Sequence, residues 1–572
     1  MSKPPIPPIK GKILLHGSIQ CCSPFHIGSG KDERCDLDVL LDEQQTPYIP
    51  ATSLVGVLYH AFPPLPLVAY FSNDQYTELL NEFPKAASLL EPLKEVHENI
   101  ASIALGAISE TQRRQLGKAF AKLEQNAINI IKQFWGYTEK EDGHQSTFRC
   151  SDLTVCQDAS HKVTIRDGIA IVNATGIVKD KSKYAYEVVE PGTTFELKME
   201  FSYRDDDEDF VKRMVATIYA LLKDGQIRIG AKTNSGLGAI QLIEDQTHIH
   251  KFDFSDKEHV RCWFTQDIEG ITIPVSELGE ALTGNDNQFT IEATLQLKNS
   301  LIIRSYSADP KMSDATHIKS NDDWVLTGAS LKGAIRARAE RIVNTLGKPA
   351  SIITDLFGYV QETFKLTEQS FLELERKFEH EGKEIPKRLL DQLREKLKDR
   401  EYEQEEQFLI DLEKTMPGEQ LAGYQPLILK YAKPRAKKGR IQVKEVTLPK
   451  YPAEVQTRIK IDRFTGGTIA GALFDSMPLF NKDEQTPIEH VQIVVNDCED
   501  YEAGLLLLVL KDLWSGDLAV GGEKNVGRGV FTGIQAIVEW NGKKIWIEED
   551  LGKLSSDQKK ILQGYVDTLN TV

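Results

Sequence analysis

Apolar and polar residues alternate at the start of the chain. Lys12 to Gln20 follows the two-residue period of a half-buried strand, and Phe195, Leu197, Met199 and Phe201 repeat it. A helical period takes over at Val211 to Lys223, and a glycine-rich turn follows, I-G-A-K-T-N-S-G-L-G-A-I from Ile229 to Ile240. The same succession then returns. F-T-I-E-A-T-L-Q-L from Phe289 alternates as cleanly as the first strand. Ala503 to Leu513 reads as a helix, and V-G-G-E-K-N-V-G-R-G-V-F, Val520 to Phe531, is a second glycine turn. Gly230, Asn234, Gly236 and Gly238 align with Gly521, Asn525, Gly527 and Gly529 at one offset, 521 − 230 = 291. Two copies of one domain in a single chain is the architecture such self-similarity predicts.

Other landmarks recur in the same order. I-P-A-T-S-L-V-G, Ile49 to Gly56, is answered by L-T-G-A-S-L-K-G, Leu326 to Gly333, with Ser53 opposite Ser330. Pro50 stops a strand there, and Thr52 or Ser53 is placed to cap a helix. Phe134-Trp135-Gly136-Tyr137 is echoed by Leu356-Phe357-Gly358-Tyr359. A hairpin signal from Arg166 to Gly176, turning at N-A-T-G, is echoed by R-I-K-I-D-R-F-T-G-G from Arg458. Unequal spacing between landmarks locates two insertions. The first, about 63–132, adds roughly 55 residues with a helical apolar stripe through Leu116, Phe120 and Leu123 and a capping box at Ser109 and Gln112. The second, about 362–450, adds roughly 70 charged, helical residues, in which Leu390, Leu393 and Leu397 form a narrow packing stripe. The expected organisation is a first domain over 1–245, a connector over 246–287 and a second domain over 288–572.

Charge refines this picture. The 572 residues carry a formal net charge of −16, which excludes a protein coated by nucleic acid on all sides but not a local basic groove. Acidic residues gather at Asp205 to Asp209 and Glu401 to Glu406. Basic ones gather at Lys430 to Arg440, a run that reads either as a solvated loop or as an RNA contact. Seven cysteines without a C-x-x-C argue against a zinc knuckle or a disulfide framework. No apolar run is long enough to span a membrane and the N-terminus lacks a signal-peptide core, so a cytoplasmic protein is expected. Neither glycine turn has the G-x-x-x-x-G-K-[ST] spacing of a nucleotide-binding P-loop.

The ordered set of strand, early loop (H-I-G-S-G in the first copy, I-R-S-Y-S without its glycines in the second), S-L-x-G helix start, F-W-G or L-F-G, T-G hairpin and terminal G-x-G loop, occurring twice, resembles the RAMP superfamily. It is similar in particular to a double backbone subunit of a fused, type III-D-like CRISPR effector complex. The resemblance implies an α+β fold of two ferredoxin-like (RRM-like) domains in tandem with helical insertions. It implies a guide RNA, a complementary target RNA and other effector subunits as partners, and no membrane. It further implies that each T-G hairpin acts as a thumb in the guide–target duplex, and that an aspartate before each S-L-x-G segment cleaves target RNA. The matching residues are Asp36 and Asp314, 14 positions before Pro50 and 13 before Thr327, with Asp38 and Asp309 their nearest competitors. The same two aspartates are the expected ligands of a divalent metal, Mg2+ in the first instance.

Expected RNA contacts in the first copy are His26, Lys31, Arg34, Ser53, Arg166, Lys232, Asn234, Gly236 and Gly238. In the second they are Ser330, Lys332, Arg336, Arg338, Arg458, Lys524, Asn525, Gly527 and Arg528. Glycine turns let backbone N–H groups approach phosphates, and the start of a helix favours them. Two other functions stay open: a non-catalytic guide-binding backbone, and a guide-processing endoribonuclease that uses His26 for acid–base chemistry.

Overall fold

Ile13, Leu15 and Ile19 lie on one face of strand β1 (Gly11–Cys21) and are fully buried, which puts this strand in the middle of its sheet. The computed structural model describes residues 8–571 apart from 31–35, 63–130, 140–141, 174, 206, 269–270, 283–286, 307–312, 362, 381–386, 416–417 and 483–485. After β1 come helix α1 (Ala51–Ala61), β2 (Phe148–Cys150), a hairpin of β3 (Val163–Gly168) and β4 (Tyr184–Val189), then β5 (Thr194–Tyr203), α2 (Glu208–Lys223) and β6 (Ile240–Asp253). The sheet order is β6-β1-β5-β2, all antiparallel. Leaving the hairpin aside, that is the βαββαβ ferredoxin-like arrangement. Phe195, Leu197, Met199 and Phe201 are all fully buried, as their alternation requires.

The second copy follows the same plan with β7 (Gln288–Lys298), α3 (Gly328–Thr345), β8 (Ile441–Val443), a hairpin of β9 (Gln456–Ile461) and β10 (Thr468–Met477), β11 (Ile488–Asn496), α4 (Asp500–Trp514) and β12 (Val530–Trp540). Its order is β8-β11-β7-β12, extended by β13 (Lys543–Glu548), and α5 (Ser556–Thr568) closes the chain. Both glycine turns end one such fold, between α2 and β6 and between α4 and β12.

Three expectations change in detail. The stretch read as a connector is partly sheet: β6 runs on to Asp253, Thr272 and Ile273 pair beyond it, and Leu278 and Leu282 join the first core. Thr52 and Ser53 lie inside α1 rather than capping it. The Ala51 N–H donates to the carboxylate of Asp152 at 2.7 Å, so the cap comes from a distant loop. The basic run is no open loop, because Arg435–Lys438 is a strand paired with Gly358–Gln361. The first insertion's stripe and capping box lie outside the described residues. The second insertion contains helices Glu368–His380, Lys387–Leu397, Glu405–Thr415 and Gly418–Ala432. Leu390, Leu393 and Leu397 pack there with Phe371, Phe408 and Leu412 in a core of their own.

By spatial proximity the chain forms two compact units that cut across the repeats. One comprises 1–286, 303–328 and 447–478, and the other 287–302, 329–446 and 479–572. The hairpin β9–β10 and the segment carrying Asp314 therefore belong to the first unit.

Candidate nucleic-acid interface

Each glycine turn folds back onto the loop that follows its repeat's first strand. In the first, Ala231 N–H donates to His26 O and Gly238 N–H to Pro24 O, both at 2.8 Å. In the second, Gly522 N–H donates to Ile302 O at 2.8 Å and Gly529 N–H to Ser300 O at 2.7 Å. Gly230, Gly236 and Gly238 have φ of 76°, 93° and 82°, and Gly521, Gly527 and Gly529 have 90°, 83° and 69°. A side chain is strained in that region, which explains the repeated glycines. Gly236 and Gly527 N–H groups also bond internally, to Thr233 O and Lys524 O at 3.3 and 3.1 Å. The turns thus spend these donors on the protein itself, a structural closure rather than an open row of N–H groups for phosphate.

The aspartates occupy matching positions. Asp36 is exposed, and its Oδ2 accepts the Ala185 N–H of β4 at 2.8 Å. Asp314 is exposed, and its Oδ2 accepts the Asp475 N–H of β10 at 2.9 Å. The residue after each aspartate makes a parallel pairing with the same hairpin strand, Leu37 with Tyr186 and Ala315 with Ser476. That pairing also sets the register of the hairpins. Arg166 stands opposite Tyr186 and Gln456 opposite Ser476, so the counterpart of Arg166 is Gln456. Arg458 stands opposite Phe474, in the place of Gly168 opposite Tyr184. The echo read from the sequence was two residues out of step.

Two residues adjoining these aspartates along the backbone, Asp38 two positions after Asp36 and Asp475 whose N–H meets Asp314, carry buried carboxylate oxygens without a hydrogen-bond partner. Neither oxygen of Asp38, which is 9% exposed, has a hydrogen-bond partner, and neither does the buried Oδ1 of Asp475. Among the described residues no group of three or more His, Cys, Asp or Glu side chains is arranged to hold a metal.

Several expected RNA contacts turn inward. His26 is 3% exposed; its Nδ1 lies 2.8 Å from Glu187 O and its ring meets Tyr186 edge-on. Arg166 is 2% exposed, with Nη2 3.9 Å from the Glu190 carboxylate. Arg528 is 4% exposed, donating to Glu523 Oε2 and Ser300 Oγ at 2.8 Å each. Arg338 donates to Asp512 at 2.6 Å. Lys232 stands over the rings of Tyr184 and Tyr186, at 4.4 and 4.6 Å, and donates to the Tyr184 hydroxyl. These side chains hold the fold together. Lys31 and Arg34 lie outside the described residues.

Other positions remain at the surface. Lys524, Asn525 and Gly527 are exposed, Asn234 is half-buried, and Ser53 and Ser330 sit in the first turns of α1 and α3. Lys332, one turn into α3, is the most perturbed cation here. Burial, then Arg336 and Lys438, push its pKa down to about 8. Lys438 reaches this cluster from the basic run, beyond the four helices of the second insertion. The run was visible in the sequence; its convergence on α3 was not. Both hairpins expose apolar side chains, among them Ile171 and Ile177 in the first and Phe464, 98% exposed, at the turn of the second.

A profile of the RAMP superfamily matches residues 18–241 and 294–532, so each match starts within the central strand of one fold and ends just past its glycine turn. The chain belongs to the RAMP superfamily. It is a double RAMP subunit, with two ferredoxin-like domains in tandem. Membership makes it a CRISPR-associated RNA-binding subunit that works with RNA and other subunits. Comparison with curated proteins gives no match. Among the described residues of this RAMP protein no helix is long and apolar enough to cross a membrane.

Proposed function

We propose that this double RAMP protein is a backbone subunit of a type III CRISPR effector complex that holds guide RNA and cleaves complementary target RNA at Asp36 and Asp314. The observation that carries the reading is the repeated tie between an exposed aspartate and the hairpin strand, Asp36 to Ala185 and Asp314 to Asp475. A carboxylate held on the edge of a projecting hairpin is where a distorted target strand would meet it.

The cations Lys332, Arg336 and Lys438 grip guide phosphates at the start of α3 without reading sequence, which base pairing supplies. The apolar hairpin surfaces, with Phe464 foremost, stack against bases and splay the duplex. Each aspartate then orients the attacking 2′-hydroxyl toward the strained phosphodiester. A divalent ion fits the residues present as an ion completed by substrate: Asp36 with Asp38, and Asp314 with Asp475, offer two carboxylates each, and Mg2+ commonly takes one or two carboxylates with phosphate oxygens and water. When bound it would polarise the phosphoryl oxygen. The burial of His26 disfavours a guide-processing reading based on that residue.

The test is cleavage of labelled target by the guide-loaded complex carrying Asp36→Asn, Asp314→Asn or both. One cleavage position should disappear with each substitution while target binding persists. Unchanged cleavage in the double variant overturns the enzymatic reading and leaves a guide-holding backbone, for which the Lys332 cluster stands independently.

A further inference from the structure

Glu190 is charged in type yet only 1% exposed, and it lies just past β4, at the base of the first hairpin. Its carboxylate collects donors from two stretches far apart in sequence. Thr164 Oγ1 donates to Oε1, and Arg166 Nη2 lies 3.9 Å from Oε2, both residues belonging to β3. From the other stretch, Ser320 Oγ donates to Oε2 at 2.6 Å and the Asn321 N–H at 3.2 Å. The Asn321 amide also donates to Pro191 O at 2.9 Å. All these residues belong to one compact unit.

The second stretch leads directly to Asp314. Ser320 and Asn321 form the turn between the short strands Lys319–Ser320 and Asp323–Leu326. His317, 1% exposed, accepts the Ile303 N–H at Nδ1 (3.1 Å) and bonds Val325 O through Nε2 (2.9 Å), fixing Ala315–His317 to that turn. Asp314 immediately precedes Ala315. A second contact joins the same two stretches: Tyr306 N–H donates to Asp167 at 3.4 Å, and Lys183 Nζ stands 4.3 Å from the Tyr306 ring.

We infer that Glu190 is a positioning residue: it clamps the segment carrying Asp314 to the base of the first hairpin, fixing the separation between the two aspartates. This rests on the cleavage reading above. A buried carboxylate is a demanding clamp, because losing any donor leaves it undersolvated, so the joint has one good geometry. The device is asymmetric. Val189 pairs with Phe25 and Leu479 with Leu301, so the position matching Glu190 is Phe480, which has no carboxylate to offer. The first repeat alone therefore has this means of holding another repeat's aspartate.

The experiment uses the guide-loaded full chain with Glu190→Gln and, as the milder change, Ser320→Ala, which removes one donor and leaves Glu190 with Thr164, Arg166 and the Asn321 N–H. Two quantities are read: hydrogen exchange along the chain, and the ratio of the Asp314-dependent to the Asp36-dependent product. Exchange over 315–326 should rise about tenfold in each variant while β1 and β5 keep their protection. The product ratio should fall about tenfold or the Asp314 products should spread over adjacent phosphodiesters, with guide affinity unchanged. Exchange rising evenly across β1 and β5, or unaltered over 315–326, overturns the clamp. If the wild-type complex makes no cut, the cleavage reading fails by itself and the exchange pattern still decides whether Glu190 clamps.

Discussion

The Asp36 carboxylate takes the Ala185 backbone N–H at 2.8 Å, so a residue proposed to do chemistry is also an anchor for the first hairpin. Two substitutions separate the roles. Asparagine keeps an acceptor oxygen for Ala185 and removes the charge; alanine removes both. Cleavage at that site should be lost in both Asp36→Asn and Asp36→Ala. Only the alanine variant should speed exchange of the Ala185 amide, by roughly fivefold for one lost hydrogen bond of about 1 kcal/mol. Exchange measured at single-amide resolution checks this, and equal effects of the two variants would show that the anchor is not made.

Guide binding should carry the titration of Lys332. Its pKa is lowered to about 8, so raising the pH from 7 to 9 removes a positive charge from the cluster with Arg336 and Lys438, and guide affinity should fall. Lys332→Met should flatten that pH profile and reduce the salt slope of binding by about one. The stability effect has the opposite direction. Above about 8 the folded side chain has lost its proton while the unfolded one keeps it up to the ordinary lysine value of 10.5. The unfolded state then binds more protons, and this residue's contribution to stability rises with pH across that window. Filter binding and thermal melts at pH 7, 8 and 9 test the two directions separately.

Arg528 should matter for folding and hardly at all for RNA. It and Glu523 have side chains only 5% exposed and meet at 2.8 Å. Arg528→Ala strands the carboxylate and should destabilise the second domain by on the order of 3 kcal/mol, whereas replacing both residues by apolar ones should recover most of that. The salt dependence of guide binding should not change. A salt slope lowered by about one in the single variant would mark Arg528 as a phosphate contact after all.

Phe464 offers the reverse separation. At 98% exposure it contributes almost nothing to the core, so Phe464→Ala should change stability by no more than about 0.5 kcal/mol. If bases stack on it, the same change should weaken target engagement by about 1–3 kcal/mol, without affecting guide affinity. The difference between guide-only and guide-plus-target binding is the quantity to measure.

The strands at Gly11–Cys21 and Gln288–Lys298, the helices around residues 211–223 and 503–513, and both glycine turns were legible because local pattern determines them. Full burial of alternate residues leaves a strand no other reading, and positive φ leaves the turns little choice but glycine. The two aspartates, 14 positions before Pro50 and 13 before Thr327, were legible only through the family resemblance, because an aspartate in a polar loop carries no catalytic signal of its own. The fate of the charged residues was not. Arg528 and Lys524 are four residues apart in one loop, yet Ser300, over two hundred residues away, draws one of them inside. The slip between Arg166 and Arg458 has a similar origin, because hairpin register is set by pairing with Tyr186 and Ser476 rather than by the residues themselves. Glu190 carries no local signal at all, since its partners are Thr164 and Arg166 on another strand and Ser320 and Asn321 some 130 positions on.

The closure of each glycine turn onto its early loop also bears on synthesis. Ala231 bonds to His26, 231 − 26 = 205 positions earlier, and Gly522 to Ile302, 522 − 302 = 220 positions earlier. On the ribosome the carbonyls of Pro24 and His26 must wait until almost the whole first domain has emerged, and those of Ser300 and Ile302 wait in the same way near the end of the chain. Contacts of such long sequence separation form slowly. Each domain thus keeps an unsealed edge until its own synthesis is nearly complete, and while the second one is open the sealed first domain is already present beside it as a similar partner for mispairing.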